Sequence, residues 1–323
     1  MTTARLMRIT AAVLCTVTLL GCTAQASLEQ THPGRVPPSP VGAAIVTDVA
    51  PPADKSCNPT ASLRPGPVPA PGQMPAGSTM AKISARGRLI VGVDQNTFLF
   101  GFRNPKSGLI EGFDIDVARE MARDIFGDPS KIQFQALTSA QRVPALQSGQ
   151  VDLVVRSMTI TCARLKDVAF STVYYQANQR ILARTNSGIT GAANLAGKRA
   201  CATSGSTSVS NLLALSPAPT VYGAADWTDC LVMLQQGQVD AVSTDDSILI
   251  GLQQQDPYLQ VVGSSLSPEP YGIGVNRGVT DLVRFVNGVL DRMRADGTWQ
   301  RIYNRWLSGL GAAPAPPPAT YRD

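Results

Sequence analysis

A single histidine occurs in the 323 residues, His32, and it falls among prolines and small residues near the start of the chain. Everything beyond that point lacks an imidazole, which excludes Ser-His-Asp and Cys-His nucleophile systems and zinc sites of the His-containing kinds. Glutamate is almost as scarce. Only Glu29, Glu111, Glu120 and Glu269 stand among 23 acidic residues, and none falls in the polar turns that follow strand-like segments, so no general acid or carboxylate pair announces itself. No apolar run reaches the ~20 residues of a membrane-spanning helix. The six cysteines show no CxxC spacing, which argues against a metal site. The net charge of +5 is spread along the chain, so no basic patch suggests nucleic acid. No cofactor motif survives inspection: the turn after residue 203 lacks the lysine of a P-loop, and Gly272, Gly274 and Gly278 have the wrong spacing for a dinucleotide fingerprint.

What is present begins with an export signal. Arg5 and Arg8 precede a short apolar core over residues 11–20, and Leu19-Leu20-Gly21-Cys22 closes it. The ending resembles a bacterial lipobox, so Cys22 is expected to be the lipidated first residue of the mature chain, held on the outer face of the cytoplasmic membrane. Residues 22–85 are rich in Pro, Ala, Gly and Ser and read as an extended tether. The proline-rich residues 311–323 read as a disordered tail. In an exported chain Cys57, Cys162, Cys201 and Cys230 read as two disulfides with three possible pairings. The even count, and the placement of Cys201 on a strand beside the helix of Cys230, favour Cys201–Cys230, leaving Cys57–Cys162 to pin the tether.

Between these ends, strands alternate with helices. Residues 88–93 form a buried-strand pattern, residues 113–125 an amphipathic helix stopped by Gly127, and residues 131–137 a second strand. A helix over 140–147 follows, with Pro144 awkward inside it. The second half repeats this grammar: strands over 198–203 and 239–243, and helices over 209–215, 226–236, 281–295 and 298–307. The fold class is therefore α/β with a largely parallel sheet, and about 225 residues exceed a comfortable single core, so two lobes are expected. The stretch 151–175 stands out. A buried strand leaves the sheet into Ser157, Thr159, Thr161 and Arg164, three hydroxyls and a guanidinium at the carboxyl end of a strand, where open α/β sheets bind ligands. Arginine matches a carboxylate with two parallel hydrogen bonds. Residues 204–208, Ser-Gly-Ser-Thr-Ser, form a donor-rich turn opening a helix, and Thr244-Asp245-Asp246 offers acceptors suited to an ammonium.

The order Gly112-Phe113-Asp114-Ile115-Asp116, then Thr159-Ile160-Thr161 with Arg164, then Phe170-Ser171, Tyr174-Tyr175, Tyr271-Gly272-Ile273 and Gly297-Thr298-Trp299 resembles the extracellular solute-binding proteins of polar amino acid ABC transporters, among them the glutamine-binding-type lipoproteins of mycobacteria. The resemblance covers about residues 86–310. It implies a two-lobed periplasmic-binding-protein fold of type II, with one lobe from 86–181 and 272–310 and the other from 182–271. Crossings near 181–184 and 270–274 would let the lobes close on a ligand. It further implies a monomer without cofactor, not an enzyme, that passes its amino acid to an ABC permease or signals to a membrane sensor. By the resemblance, Arg164 clamps the α-carboxylate with Thr159. Ser157 and Asp245 receive the α-ammonium, and Thr203, Ser206 and Thr207 reach over from the second lobe. Selectivity stays open: Ser139 and Arg142 match positions that hold a side-chain carboxylate in aspartate- and glutamate-binding members, whereas Asp94 stands where glutamine-specific members read an amide. Cyclohexadienyl dehydratases share the fold and form the enzymatic alternative, which the want of a glutamate in the cleft disfavours.

Overall fold

The computed structural model describes residues 38–47 and 56–323; the export signal, Cys22 and His32 lie outside the described residues. Strand β1 (Ala44–Ile45) and strand β2 (Ala61–Ser62) come from the proline-rich segment, and the Thr79–Arg86 helix leads into the folded body. There β3 (Leu89–Val93) is followed by a small antiparallel sheet of β4 (Asn96–Thr97), β5 (Gly101–Arg103) and β6 (Ile110–Glu111). After the Phe113–Phe126 helix come β7 (Ile132–Ala136), β8 (Leu153–Val154) and β9 (Val168–Phe170). Strand β10 (Tyr175–Arg184) crosses to β11 (Arg199–Thr203), β12 (Thr220–Ala224) and β13 (Ala241–Asp245), and β14 (Leu259–Tyr271) returns to β15 (Gly274–Asn276). The helices Thr280–Ala295 and Thr298–Leu307 then pack on the first lobe, and β16 (Thr320–Tyr321) ends the chain.

Two sheets form the lobes, in the orders β7-β3-β8-β15-β9 and β1-β12-β11-β13-β10-β14. The three strands β7, β3 and β8 pair in parallel, as do β12, β11 and β13. The strands that the crossings add run antiparallel, because a chain returning from the other lobe enters the sheet from the opposite end. The sheets are therefore mixed. One apolar core draws its buried members from Ile181 to Leu259. A separate core contains Leu89, Val91 and Val93 with Ile115, Met121 and Ile125 of the Phe113–Phe126 helix, the face expected from helical spacing. Trp299, Ile302 and Tyr303 fill its far side.

Pro144 causes no break. The Arg142–Gln147 helix starts two residues before it, so the proline sits in the first turn, where a backbone N–H has no intrahelical partner to lose.

Several expectations are overturned. The tail over 311–323 is ordered: β16 pairs in parallel with β2, Tyr321 donates to Asp291 at 2.5 Å, and Arg294 Nε donates to the Pro317 carbonyl at 2.9 Å. Proline-rich chain lacks internal hydrogen bonds, but its carbonyls and side chains remain free to dock on a preformed surface. The tether also ends sooner than residue 85. Ser62 is buried and its hydroxyl donates to the Phe170 carbonyl at 2.7 Å, and Asn287 Nδ2 donates to the Leu63 carbonyl at 2.7 Å. Further upstream, β1 extends the second lobe's sheet along β12. The first crossing begins before residue 181: Ala177 belongs to the first lobe's core and Ile181 to the second's. Both disulfides are present, Cys57–Cys162 and Cys201–Cys230, each closing at a Cα separation of 5.8 Å or less.

Candidate functional site

The polar residues gathered between the lobes come from the turns and helix starts that follow strands and from the crossing strand β14. Their arrangement begins with Asp94, just after β3. Its Oδ1 accepts the backbone N–H groups of Gln95 and Asn96 at 2.7 and 2.9 Å, while Oδ2 accepts the Thr97 hydroxyl at 2.8 Å and pairs with Arg156 Nη2 at 2.7 Å. Both of its oxygens therefore already have partners within the first lobe. Arg156, which no local sequence pattern singles out, is 2% exposed and also donates to the Leu137 carbonyl and to Ser139 Oγ. Ser139 Oγ thus accepts twice, from Arg156 and, at 3.1 Å, from the Thr203 hydroxyl of the second lobe, and its own O–H remains as a donor.

Arg142 and Arg164 are in a different position. Arg142, 3% exposed, donates only to the carbonyls of Ser139, Arg156, Ser157 and Gly205, at 3.0 to 3.4 Å. Arg164 is held by the Thr159 carbonyl at 2.7 Å and the Gly205 carbonyl at 3.0 Å. Neither guanidinium has a carboxylate partner among the described residues. Burial, then the neighbouring Arg164 and Arg156 charges, holds Arg142 well below its ordinary pKa; burial also lowers Arg164. Such cations favour a negative group brought to them.

The matching anions face them. Asp245 ends β13, is buried, and accepts the Tyr271 hydroxyl on Oδ2 at 2.5 Å, while its Oδ1 has no partner among the described residues. Burial, and next the charge of Glu269, pushes the Asp245 carboxyl well above its usual range, which an incoming ammonium would reverse. Ser206 Oγ is buried and likewise without a partner among the described residues.

Ser157 adopts a left-handed φ of 39° and is pinned there by Asp114, which accepts its N–H at 2.8 Å and its hydroxyl at 3.1 Å. The other oxygen of Asp114 accepts the Tyr174 hydroxyl at 2.8 Å. Full burial drives the Asp114 carboxyl up to about 6 against these hydrogen bonds.

Glu269 overturns the expectation that no glutamate reaches the cleft. It is 1% exposed on β14, and it accepts the Thr159 hydroxyl at 2.6 Å, the Thr207 hydroxyl at 2.8 Å and Asn211 Nδ2 at 3.1 Å. The hydroxyls of Thr159 and Thr207 are therefore engaged by the protein itself. Its placement between Pro268 and Pro270, immediately before Tyr271-Gly272, was the available signal, since a lone carboxylate in a stiff strand must find partners inside the fold. Three donors hold it as a hydrogen-bond acceptor, two on Oε2 and one on Oε1.

The lobes are closed on one another. A Cβ on Gly205 (φ +78°) would lie 2.7 Å from the Cα of Ala140 across the cleft, and one on Gly251 would lie 2.8 Å from the Phe98 carbonyl oxygen.

Residues 89–309 match the model of the bacterial extracellular solute-binding proteins, family 3. The chain is 40% identical over 230 residues to the glutamine-binding protein GlnH of an ABC transporter of Bacillus subtilis, covering 71% of this chain and 84% of that protein. It is 30% identical over 242 residues to the glutamate-binding protein GluB of Corynebacterium efficiens, covering 71% and 82%. Among solved structures, an ancestral arginine-binding protein bound to glutamine superposes with a TM-score of 0.65 at 36% identity, covering 69% of this chain and 98% of that one.

Proposed function

The chain belongs to the bacterial extracellular solute-binding proteins, family 3, and on that premise we propose that it captures a polar amino acid between its lobes outside the cytoplasm and presents it to an ABC permease or a membrane sensor. The observation that carries this reading is the pairing of two guanidiniums that have only carbonyl partners among the described residues with a buried Asp245 oxygen that has none among them. A zwitterionic head group satisfies both: its carboxylate answers Arg164, with the backbone of the Thr159 turn beside it, and its ammonium answers Asp245, with the Ser157 hydroxyl as a second acceptor. Ser206, whose buried Oγ has no partner among the described residues, closes the head group from the second lobe.

Side-chain choice then falls first to Arg142, whose guanidinium has only carbonyl partners among the described residues, whereas Asp94 is already paired with Arg156. A guanidinium only donates, so it suits the carbonyl oxygen of an amide or the oxygens of a carboxylate and repels a cationic side chain. Arg142 and Arg164 together balance Asp245 and Glu269, which favours a ligand of no net charge. Glutamine, the ligand in the name of the Bacillus subtilis relative, meets both conditions, and glutamate and aspartate meet the first. Calorimetry with glutamine, asparagine, glutamate, aspartate and arginine tests this. Arg164→Ala should abolish binding of all amino acids, and Arg142→Ala should weaken the acids more than the amides, by tenfold or more for a truncated buried charge. Arginine as the tightest ligand, or an unchanged panel for Arg142→Ala, would refute it.

We also propose lipid anchoring at Cys22, supported by Leu19-Leu20-Gly21-Cys22 after a short apolar run. Cys22→Ala should move the protein from the membrane fraction to the medium; retention equal to the parent's would place the anchor elsewhere.

A further inference from the structure

We propose that Glu269 is the latch that holds the lobes closed over the ligand, a positioning residue that acts through Thr159; the proposal rests on the amino-acid reading of the same cleft. Three elements converge on this one carboxylate. Thr159 comes from the turn after β8 in the first lobe, Thr207 and Asn211 from the Thr207–Leu213 helix of the second, and Glu269 itself from the crossing strand β14. Asn211 Nδ2 also donates to Gln179 Oε1 at 2.6 Å, so its amide joins both crossing strands, β10 and β14. Pro268 and Pro270 fix φ on either side of Glu269, which sets where the carboxylate points and leaves little slack for it to follow either lobe.

Opening must therefore strip Glu269 either of the Thr159 hydroxyl or of the Thr207 and Asn211 donors. No cation pairs with it among the described residues, so the stripped carboxylate would need water in a place that is 1% exposed when closed. Thr159 adds the coupling to ligand. Its hydroxyl holds Glu269 at 2.6 Å while its carbonyl holds Arg164 Nη1 at 2.7 Å. The arginine that meets the ligand's carboxylate and the carboxylate that fastens the lobes thus share one residue, and ordering one orders the other.

Stopped-flow glutamine binding and small-angle scattering of the ligand-free protein test this in the mature chain. Glu269→Ala should raise the dissociation rate about tenfold or more and change the association rate by less than about threefold, since closure follows encounter. The ligand-free radius of gyration should increase, and Glu269→Asp should restore part of both effects. Thr207→Val should act in the same direction, and combined with Glu269→Ala it should add nothing, as for two members of one hydrogen-bonded unit. A purely structural role would lower the unfolding midpoint without moving the scattering or separating the two rates. The latch is overturned if Glu269→Ala leaves dissociation and scattering unchanged, if the two substitutions add, or if affinity rises, which would mean that Glu269 competes with the ligand for the two hydroxyls. If Glu269→Ala does not fold, Thr207→Val and Asn211→Ala carry the same readouts. If the parent binds no amino acid, the ligand reading fails while the scattering still decides the latch.

Discussion

Asp114 carries a carboxylate into a site with no solvent exposure, and what keeps it there is the need to hold Ser157 in a left-handed conformation that a non-glycine residue does not adopt unaided. Its pKa of about 6 lies above the 3.8 of an exposed aspartate, so the folded state binds the extra proton more tightly than the unfolded chain does. The resulting stability is fully present below about pH 4 and is lost as the pH rises through about 6, a change on the order of 3 kcal/mol for a shift of this size. Denaturant unfolding of the parent and of Asp114→Asn at pH 4 and pH 7 should show this: the variant's drop over that interval should be smaller than the parent's. Equal drops would locate the pH dependence in other carboxylates. Arg156 gives the contrasting lesson at this scale. The sequence presents it as one more charged residue at a strand end, and only the fold brings it to Asp94 at 2.7 Å.

At the scale of elements, the turn over residues 204–208 decides closure. The helix that follows it, Thr207–Leu213, is only seven residues long, so the turn's backbone matters more than the helix dipole. The Gly205 carbonyl accepts from both Arg142 and Arg164, and its φ of +78° and its approach to Ala140 leave no space for a side chain. In Gly205→Ala the left-handed conformation costs about 1–2 kcal/mol, and the added methyl meets backbone that cannot yield. Ligand affinity should fall at least tenfold by calorimetry, with a modest loss of unfolding free energy; full affinity would show that the lobes need not meet at this point to bind. The long strands β10 and β14 are the other decisive elements. They pair with each other from Tyr175↔Tyr271 to Arg184↔Leu259, with a register shift between Gln179 and Ile181, so the irregularity falls where the chain passes from one core to the other.

Taken as a whole, the molecule is two lobes with a third participant, the N-terminal segment. β1 lies along the second lobe's sheet, Cys57 is bonded to Cys162 of the first, and β2 receives the C-terminal β16. The Cys57–Cys162 bridge spans 105 residues of sequence, and closing a loop of that size removes enough unfolded-chain entropy to contribute about 3–5 kcal/mol. Replacing both cysteines by serine should lower the unfolding free energy by that amount in denaturant, with glutamine affinity affected much less than by Arg164→Ala. A loss below about 1 kcal/mol would mean that the strands at either end of the segment already hold it in place.

Local pattern was enough to determine the alternation of strands and helices, the two-lobed α/β class, the core face of the Phe113–Phe126 helix and the candidacy of Arg164 and Asp245, because periodicity, capping glycines and polar turns at strand ends are properties of neighbouring residues. Tertiary structure alone decided which polar groups remain for a ligand. Asp94 looks as available in sequence as Arg142 does, but the fold pairs it with Arg156, which is distant in sequence and adjacent in space, and Arg156 also donates to Ser139 Oγ. Glu269 enters the cleft because β14 carries it between two lobes, and the prolines of the tail come to order because β2 offers them an edge. A side chain's capacity to bind is fixed by its chemistry, but whether that capacity is free depends on the partners the fold brings to it, some of them, such as Arg156 for Asp94 and Thr207 for Glu269, 62 positions away in sequence.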